Sequence, residues 1–286
     1  MQANNYEPYS ALVPVYYGEK AENLKLCMDS IFAQSVPPNE LVLVCDGPLT
    51  DELESVISLE QKMHPSLKVI RLPENQGAAA AFEKGTQICT NDLIQKFGSD
   101  DYCRPERAQL QLEQFKQFPD LAVVGGYVQM FCNAPGDSTD VRVVPCDYEE
   151  ILRFARRRSP FNDGTVMYRK KAFQAVGGYA AELRRAQDYD VYVRILAAGY
   201  KASNIPCVLA DGREDTRGIQ RHQTFLNFAC IAKVYWRAYR IGFTTLADLI
   251  FGCAARLVIL LVPRKMCSWL YKKVFRKDIS NLVHCD

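Results

Sequence analysis

Histidine is scarce in this sequence. Only His64, His222 and His284 occur in 286 residues. Chemistry that needs a histidine base or a histidine metal cluster is therefore a poor fit, and carboxylates become the natural acids, bases and ligands. Cysteine pairs at metal-binding spacing are missing as well. The 11 cysteines are scattered with no C-x-x-C among them, which argues against a zinc site and a disulfide framework. They read as reduced thiols packed as small apolar side chains in a reducing compartment. Neither sign of charge is in excess. With 35 Lys and Arg against 33 Asp and Glu, the net charge is +2, so composition gives no case for nucleic acid as a partner. The first ten residues lack a basic stretch followed by an apolar one, so no signal peptide is read and a cytoplasmic location is expected. The most apolar stretch, 246–262, is short for a membrane span and carries Asp248 and Arg256.

What is present is a regular alternation. Hydrophobic residues make up 48% and charged residues 24% of the chain, ample for a sizeable core. Residues 10–16, 40–47, 68–72 and 93–97 read as strands. Residues 23–33, 51–63 and 78–88 read as helices, with Leu24, Cys27 and Ile31 on one face of the first. Near-continuous apolar strands in the order β-α-β-α-β-α-β predict a parallel sheet with helices on both faces and right-handed crossovers. Further on, 105–118, 147–158, 169–176 and 188–199 read as helices, and 121–126 (extendable to 131), 165–169 and 204–209 as strands. No repeat or low-complexity linker marks a domain boundary before about residue 215.

Several strand ends carry polar groups: Tyr16 with Glu19, Asp46 before Gly47, and Asp100-Asp101 after the apolar run from Leu93 to Phe97. Taken singly, each acid reads as a turn or a helix cap. In a doubly wound sheet, however, these ends lie along one edge, where the ligand crevice forms, and their convergence favours a site.

Five pieces in order carry a family likeness. They are Val13-Pro14-Val15-Tyr16 with Ser30-Ile31-Phe32-Ala33-Gln34-Ser35; Leu41-Val42-Leu43-Val44-Cys45-Asp46-Gly47; Asn75-Gln76-Gly77 through Lys84-Gly85; Gly98-Ser99-Asp100-Asp101 with Pro105-Glu106-Arg107; and Gly177-Gly178-Tyr179 followed by Gln187-Asp188-Tyr189-Asp190. Over roughly residues 8–222 the chain resembles family 2 glycosyltransferases of the GT-A fold. Its C-terminal helices resemble those of bacterial enzymes that build O-antigen or capsule repeat units. The resemblance implies a Rossmann-like, mostly parallel α/β sheet with helices on both faces (residues 1–222) plus a C-terminal helical extension (223–286). It also implies an inverting transfer of sugar from a nucleotide-sugar donor, a UDP-sugar, to a lipid-linked or free saccharide.

By the same resemblance Asp101 coordinates Mn²⁺ or Mg²⁺, and Asp100 shares the metal and meets the donor's ribose or sugar. Asp46 hydrogen-bonds the base or ribose. Pro14, Val15 and Tyr16 shape the base pocket, Glu19 and Asn75 complete the donor side, and Lys84 or Lys96 balances phosphate charge. Asp188 is the general base, and Asp190 points elsewhere on its helix. For each there is a plainer alternative: Tyr16 as a half-buried aromatic, the lysines as solvated, Asp188 as a helix cap. Arg213, Arg217, Arg221 and His222 are either a basic lid over the pyrophosphate or a solvated loop.

The pattern also departs from the family. Gly98 stands where an acid is common, Cys45 where an aspartate is, Glu83 where an asparagine is, Gln187 where a glutamate precedes the base, and Asp163 where relatives often carry histidine. The first change leaves fewer metal ligands, and the Asp163 change bears on acceptor or donor preference. Two other functions use similar parts: a catalytically inactive nucleotide-sugar-binding scaffold, and a sugar-phosphate nucleotidyltransferase. The second usually opens with a glycine-rich loop bearing Arg and Lys, which residues 12–19 lack.

From Thr224 the chain reads as long helices over 224–241, 245–262 and 265–275. An apolar helix followed by Arg264, Lys265, Lys272, Lys273, Arg276 and Lys277 reads as an interfacial segment on an anionic membrane surface. That would make the protein peripheral on the inner face of the cell membrane. The alternatives are a buried hairpin or the contact face of a homodimer.

Overall fold

The computed structural model describes residues 6–132, 134–138, 140–180, 182–213, 223–262 and 276–278. Strand β1 (Tyr9–Val15) is its axis. It pairs in parallel with β2 (Glu40–Cys45) on one side and β4 (Leu93–Lys96) on the other, and β3 (Leu67–Arg71) pairs in parallel beyond β2. The connections run through helices α1 (Ala21–Phe32), α2 (Asp51–Met63) and α3 (Ala78–Ile88). Successive strand residues point to opposite faces. Leu12, Val42, Val44 and Ile94 therefore pack with Ala81 and Phe82 of α3, while Ala11, Val13, Leu41 and Leu43 pack with Leu24 and Ile31 of α1. Burial on both faces explains why β2 is buried at every position.

The expected α/β fold class holds, and the parallel half is β3-β2-β1-β4. Beyond β4 the sheet becomes mixed. Strand β8 (Met167–Arg169) runs antiparallel to β4, and β6 (Leu121–Phe131) antiparallel to β8. Strand β9 (Lys201–Arg213) lies parallel to β6 and also pairs with β5 (Tyr102–Cys103). Strand β7 (Asp140–Arg142) joins β6 to the edge strand β10 (Arg276–Asp278). Helices α4 (Arg107–Gln117), α5 (Tyr148–Ala155), α6 (Lys170–Ala175) and α7 (Gln187–Ala197) flank this half. Strand β9 is longer than the sequence suggested because it follows the full length of β6.

Two C-terminal helices follow. Helix α8 (Phe225–Arg240) buries Cys230, Val234 and Tyr235 against Tyr189 and Val193 of α7. Helix α9 (Leu246–Leu261) opens with a capping box between Thr245 and Asp248 and buries Gly252, whose missing Cβ leaves room for the Tyr235 ring. The expected helix at 265–275 lies outside the described residues. Among those residues, no helix is long and apolar enough to cross a membrane. Most described cysteines, such as Cys27, Cys45 and Cys103, are free thiols, but Cys207 is disulfide-bonded. The expectation of reduced thiols throughout is corrected at that position.

Candidate functional site

The parallel register places Leu12 beside Lys96 and Val15 beside Cys45, so β1, β2 and β4 deliver their C-terminal ends to one edge. Because β8 is antiparallel to β4, its N-terminal approach reaches the same edge, as the 3₁₀ turn Asp163–Thr165. Helix α7 begins there as well. Its preceding residue, Ala186, has φ 57°, a left-handed conformation disfavoured for a side-chain-bearing residue and often found at functional sites.

Lys96, the last residue of β4, is buried, with a side chain 1% exposed. Its ammonium donates to both carboxylate oxygens of Asp163 at 2.7 Å and to Oδ1 of Asp188. It also lies 4.0 Å from the Phe82 ring centroid and 5.3 Å from that of Tyr179, a geometry that favours the cation. Burial works against the charged lysine, but Asp163 and Asp188 outweigh it and hold the group above its ordinary value. Asp188 is pushed up to about 6, first by burial and then by the Asp163 carboxylate, with Lys96 opposing. Helix α7 has no side-chain N-cap, so Asp188 does not cap it; its carboxylate turns to Lys96. The Tyr192 hydroxyl donates to Asp163 at 2.7 Å.

The chain then turns at Gly98, whose N–H donates to Oδ2 of Asp101 at 3.1 Å. Gly98, Gly164 and Gly212 close around the Asp101 side chain, and a Cβ at Gly164 would collide with Oδ2. Burial and the adjacent Asp100 carboxylate push Asp101 up to about 7, so its ionised form lacks full compensation. Two neighbouring carboxylates, one enclosed and under-compensated, fit a hard divalent cation. Among the described residues no group of three or more acidic, histidine or cysteine side chains could hold a metal. The protein would thus supply two carboxylates, and the remaining positions would go to substrate phosphates and water, a common arrangement for Mg²⁺.

Pro14 to Tyr16, Glu19, Asp46 and Asn75 follow the same edge. Glu19 ties two turns together: Oε2 accepts from the Ser99 hydroxyl at 2.9 Å and Oε1 from Asn23 at 2.8 Å. Asp46 gives both carboxylate oxygens to backbone amides, of Gln76 at 2.7 Å and Gly77 at 2.9 Å, and so anchors the entrance to α3. Asn75 is exposed and donates to the Asp46 carbonyl. Val15 is buried and Pro14 half-buried, Tyr16 is 41% exposed, and Lys84 is exposed on α3. Asp190, two residues after Asp188, faces away and pairs with Arg194 and Arg237 at 2.8 Å each.

Lys96 is not a solvated lysine, and Arg107, noted in the sequence only as part of a motif, is wholly buried. The Arg107 guanidinium donates to the carbonyls of Gly164 and Lys96 and lies 4.3 Å from the Phe97 ring centroid. It clamps the end of β4 to the 163–165 turn beneath Asp101. A basic residue inside a helix that carries four glutamines (109, 111, 114 and 117) gives no local signal of this burial; only its partners on β4 and in the 163–166 segment do. Glu83 accepts from the Tyr179 N–H at 3.0 Å and holds the Gly177-Gly178 turn. Of the basic segment after β9, Arg213 stacks on Phe131, while Arg217, Arg221 and His222 lie outside the described residues.

Comparison with known proteins places the chain in a family. Residues 10–177 match the family described as glycosyl transferase family 2. A glycosyltransferase of Haemophilus influenzae is 32% identical over 94% of this chain and 99% of its own. The Escherichia coli UDP-Gal:alpha-D-GlcNAc-diphosphoundecaprenol beta-1,3-galactosyltransferase is 30% identical over 94% of this chain and 97% of its own. Among solved structures, the mannosyltransferase PcManGT from Pyrobaculum calidifontis, in complex with GDP-Man and Mn²⁺, superposes with a TM-score of 0.62 at 19% identity, over 93% of this chain and 80% of its own. The sheet is that of the GT-A fold, and the chain belongs to glycosyl transferase family 2.

Proposed function

We propose that this glycosyltransferase moves a sugar from a UDP-sugar to a lipid-linked saccharide, with inversion at the anomeric carbon, in polysaccharide synthesis. The observation that carries the proposal is the chain of contacts from Asp101 through the 163–164 turn and Lys96 to Asp188, which sets a candidate base beside a candidate metal-binding pair.

In the proposed reaction the acceptor hydroxyl oxygen attacks the anomeric carbon while Asp188 accepts its proton. The bond from that carbon to the phosphate oxygen breaks, and UDP leaves with the electron pair. One displacement with the base opposite the leaving group inverts the centre. A carboxylate at about 6 is ionised at neutral pH yet more basic than a free aspartate, as suits general-base work. Lys96 orients this carboxylate and keeps it charged. Mn²⁺ or Mg²⁺, held by Asp101 and Asp100, would supply neutralisation of the departing diphosphate. Asp100 would also meet the donor's ribose or sugar. The donor's nucleoside would lie over the ends of β1 and β2, against Tyr16, with the turns held by Glu19 and Asp46, Asn75 and Lys84 around it.

The name of the E. coli relative, which is matched along nearly its whole length, supports both the UDP-sugar donor and a lipid diphosphate acceptor. The exposed apolar residues of α9, Ile250, Phe251, Leu257, Val258 and Leu261, support peripheral attachment to the inner face of an anionic membrane through residues 223–286, with residues 1–222 as the catalytic domain. The test is a screen of nucleotide sugars with Mn²⁺ and lipid-linked acceptors, reading released UDP or GDP and the anomeric configuration of the product. UDP release that depends on acceptor, with inversion, is expected. Retention of configuration, or no acceptor-dependent release from any UDP-sugar, would overturn the proposal.

A further inference from the structure

The end of α5 is densely basic: Arg153 in its last turn, then Arg156, Arg157 and Arg158 in the turn that follows. These four guanidinium groups line a groove of about 640 Å³ that opens between α5 and the start of α9. That volume lies within the range of small-ligand sites, ~300–1,000 Å³. Only Glu150 and Asp248 oppose them among the lining residues, and Asp248 is already engaged in capping α9, accepting from Thr245 at 2.8 Å. Arg157 Nε lies 3.9 Å from Asp248, and its guanidinium stands 4.9 Å from the Phe251 ring centroid. Four arginines along one open groove, Arg158 with its guanidinium 4.6 Å from the Phe154 ring centroid, present the planar forks that match the oxygens of phosphate groups.

Two further observations fix the kind of ligand. Helix α9 leads away from this groove with an outward face of Ala247, Ile250, Ala254, Leu257 and Leu261, all exposed and spaced alternately three and four apart, a single apolar stripe ~21 Å long at 1.5 Å per residue. The groove is also tied to the catalytic edge. Tyr189, next to Asp188, donates to the carbonyl of Ala155 at 2.7 Å, and Tyr235 donates to that of Arg157.

We infer that the arginine groove binds the diphosphate of a polyprenyl-diphosphate-linked acceptor, with the polyprenyl chain along the outer face of α9 and the sugar directed toward Asp188. This rests on the proposed lipid-linked acceptor and assigns the part of the protein that recognises its charged head.

The test uses the full-length protein in detergent, with farnesyl diphosphate and farnesol as probes, and the variant R153Q/R156Q. Wild type is expected to bind farnesyl diphosphate at least about tenfold more tightly than farnesol, the scale of a charge-assisted contact. The variant should lose that margin while keeping its melting temperature, its affinity for UDP and its affinity for farnesol. Its binding to phosphatidylglycerol vesicles should change less than twofold. If wild type does not distinguish the two probes, the lipid-diphosphate acceptor falls and this assignment with it. If wild type distinguishes them and the variant does so equally well, the groove assignment alone is wrong. If the variant loses vesicle binding as strongly as farnesyl diphosphate binding, the arginines read bulk phospholipid charge and the assignment is likewise wrong.

Discussion

Lys96 and Asp188 stand 92 positions apart in the chain and meet in a hydrogen bond at the carboxyl edge of the sheet. Lys96→Met keeps the length of the side chain and its apolar cage of Phe82 and Tyr179 but leaves Asp163 and Asp188 facing each other without a cation. Removing one partner of a buried pair costs about 3–5 kcal/mol. Since the Asp163 side chain is 40% exposed, the low end, about 3 kcal/mol, is expected in urea unfolding. With its cation gone, Asp188 should titrate above its present value of about 6, shifting the acid limb of kcat/KM to higher pH. An unmoved limb would show that Lys96 does not act on the base.

Asp188→Asn should lower kcat by about 10²–10⁴, the usual worth of a general base, with donor affinity unchanged. In the parent enzyme, kcat/KM should fall as pH drops through about 6, where Asp188 takes up a proton. Transfer near the wild-type rate by the asparagine variant would remove Asp188 from the mechanism.

Asp101 makes stability depend on pH in an unusual direction. Its folded value of about 7 lies above the ordinary 3.8. Between those values the unfolded chain releases the proton first, so the metal-free protein should lose stability as pH rises through that window. Asp188, also raised, adds to the slope. Mn²⁺ binds the ionised form, so it should raise the melting temperature more at pH 8 than at pH 5. Asp101→Asn should reduce the slope of the metal-free profile to the part from Asp188 and abolish the Mn²⁺ shift. A Mn²⁺ shift of the same size in that variant would place the metal elsewhere.

Asp190 is 1% exposed and carries Arg194 and Arg237. Asp190→Asn should cost about 3 kcal/mol by leaving two guanidinium groups under-compensated, yet leave turnover per folded molecule intact. Thermal melts and active-site titration separate the two effects. A fall in kcat with unchanged stability would mean that the roles of Asp188 and Asp190 are reversed.

Ile250 and Leu257 are 62% and 45% exposed on the stripe of α9. Changing both to glutamate should leave the melting temperature unchanged, because neither packs in the core. It should lower partition onto anionic vesicles more than tenfold, since each apolar side chain withdrawn from water contributes about 1.5–3 kcal/mol. Undiminished partition in a flotation assay would exclude this face as the membrane contact.

The parallel half of the fold was legible because its signals are local: apolar runs of strand length, each ending in a turn. Asp100-Asp101 and Asp188 also stand at the ends of periodic segments, where taken singly they read as caps, and only the family resemblance proposed roles for them. Other features depended on partners far along the chain. Lys96 looks like any lysine in a short strand until Asp163 and Asp188 arrive 67 and 92 residues later. Asp46 is followed by a glycine like many turn acids, and only folding brings the Gln76 and Gly77 amides onto its carboxylate. The direction of β8 was hidden too, since three residues, Met167–Arg169, carry no sign of which way they run.

That reversed strand has a consequence for how such enzymes diversify. The ends of β1, β2 and β4 come from the first hundred residues, whereas the turn at Asp163–Thr165 enters the edge from the other direction, through β8. Under the proposed placement of donor and acceptor, position 163 could vary with the acceptor while Gly164, packed on Asp101, and the strand ends proposed to face the nucleotide stay unchanged. A family could exchange acceptors on an unchanged donor half, and a designer can try the same exchange one turn at a time.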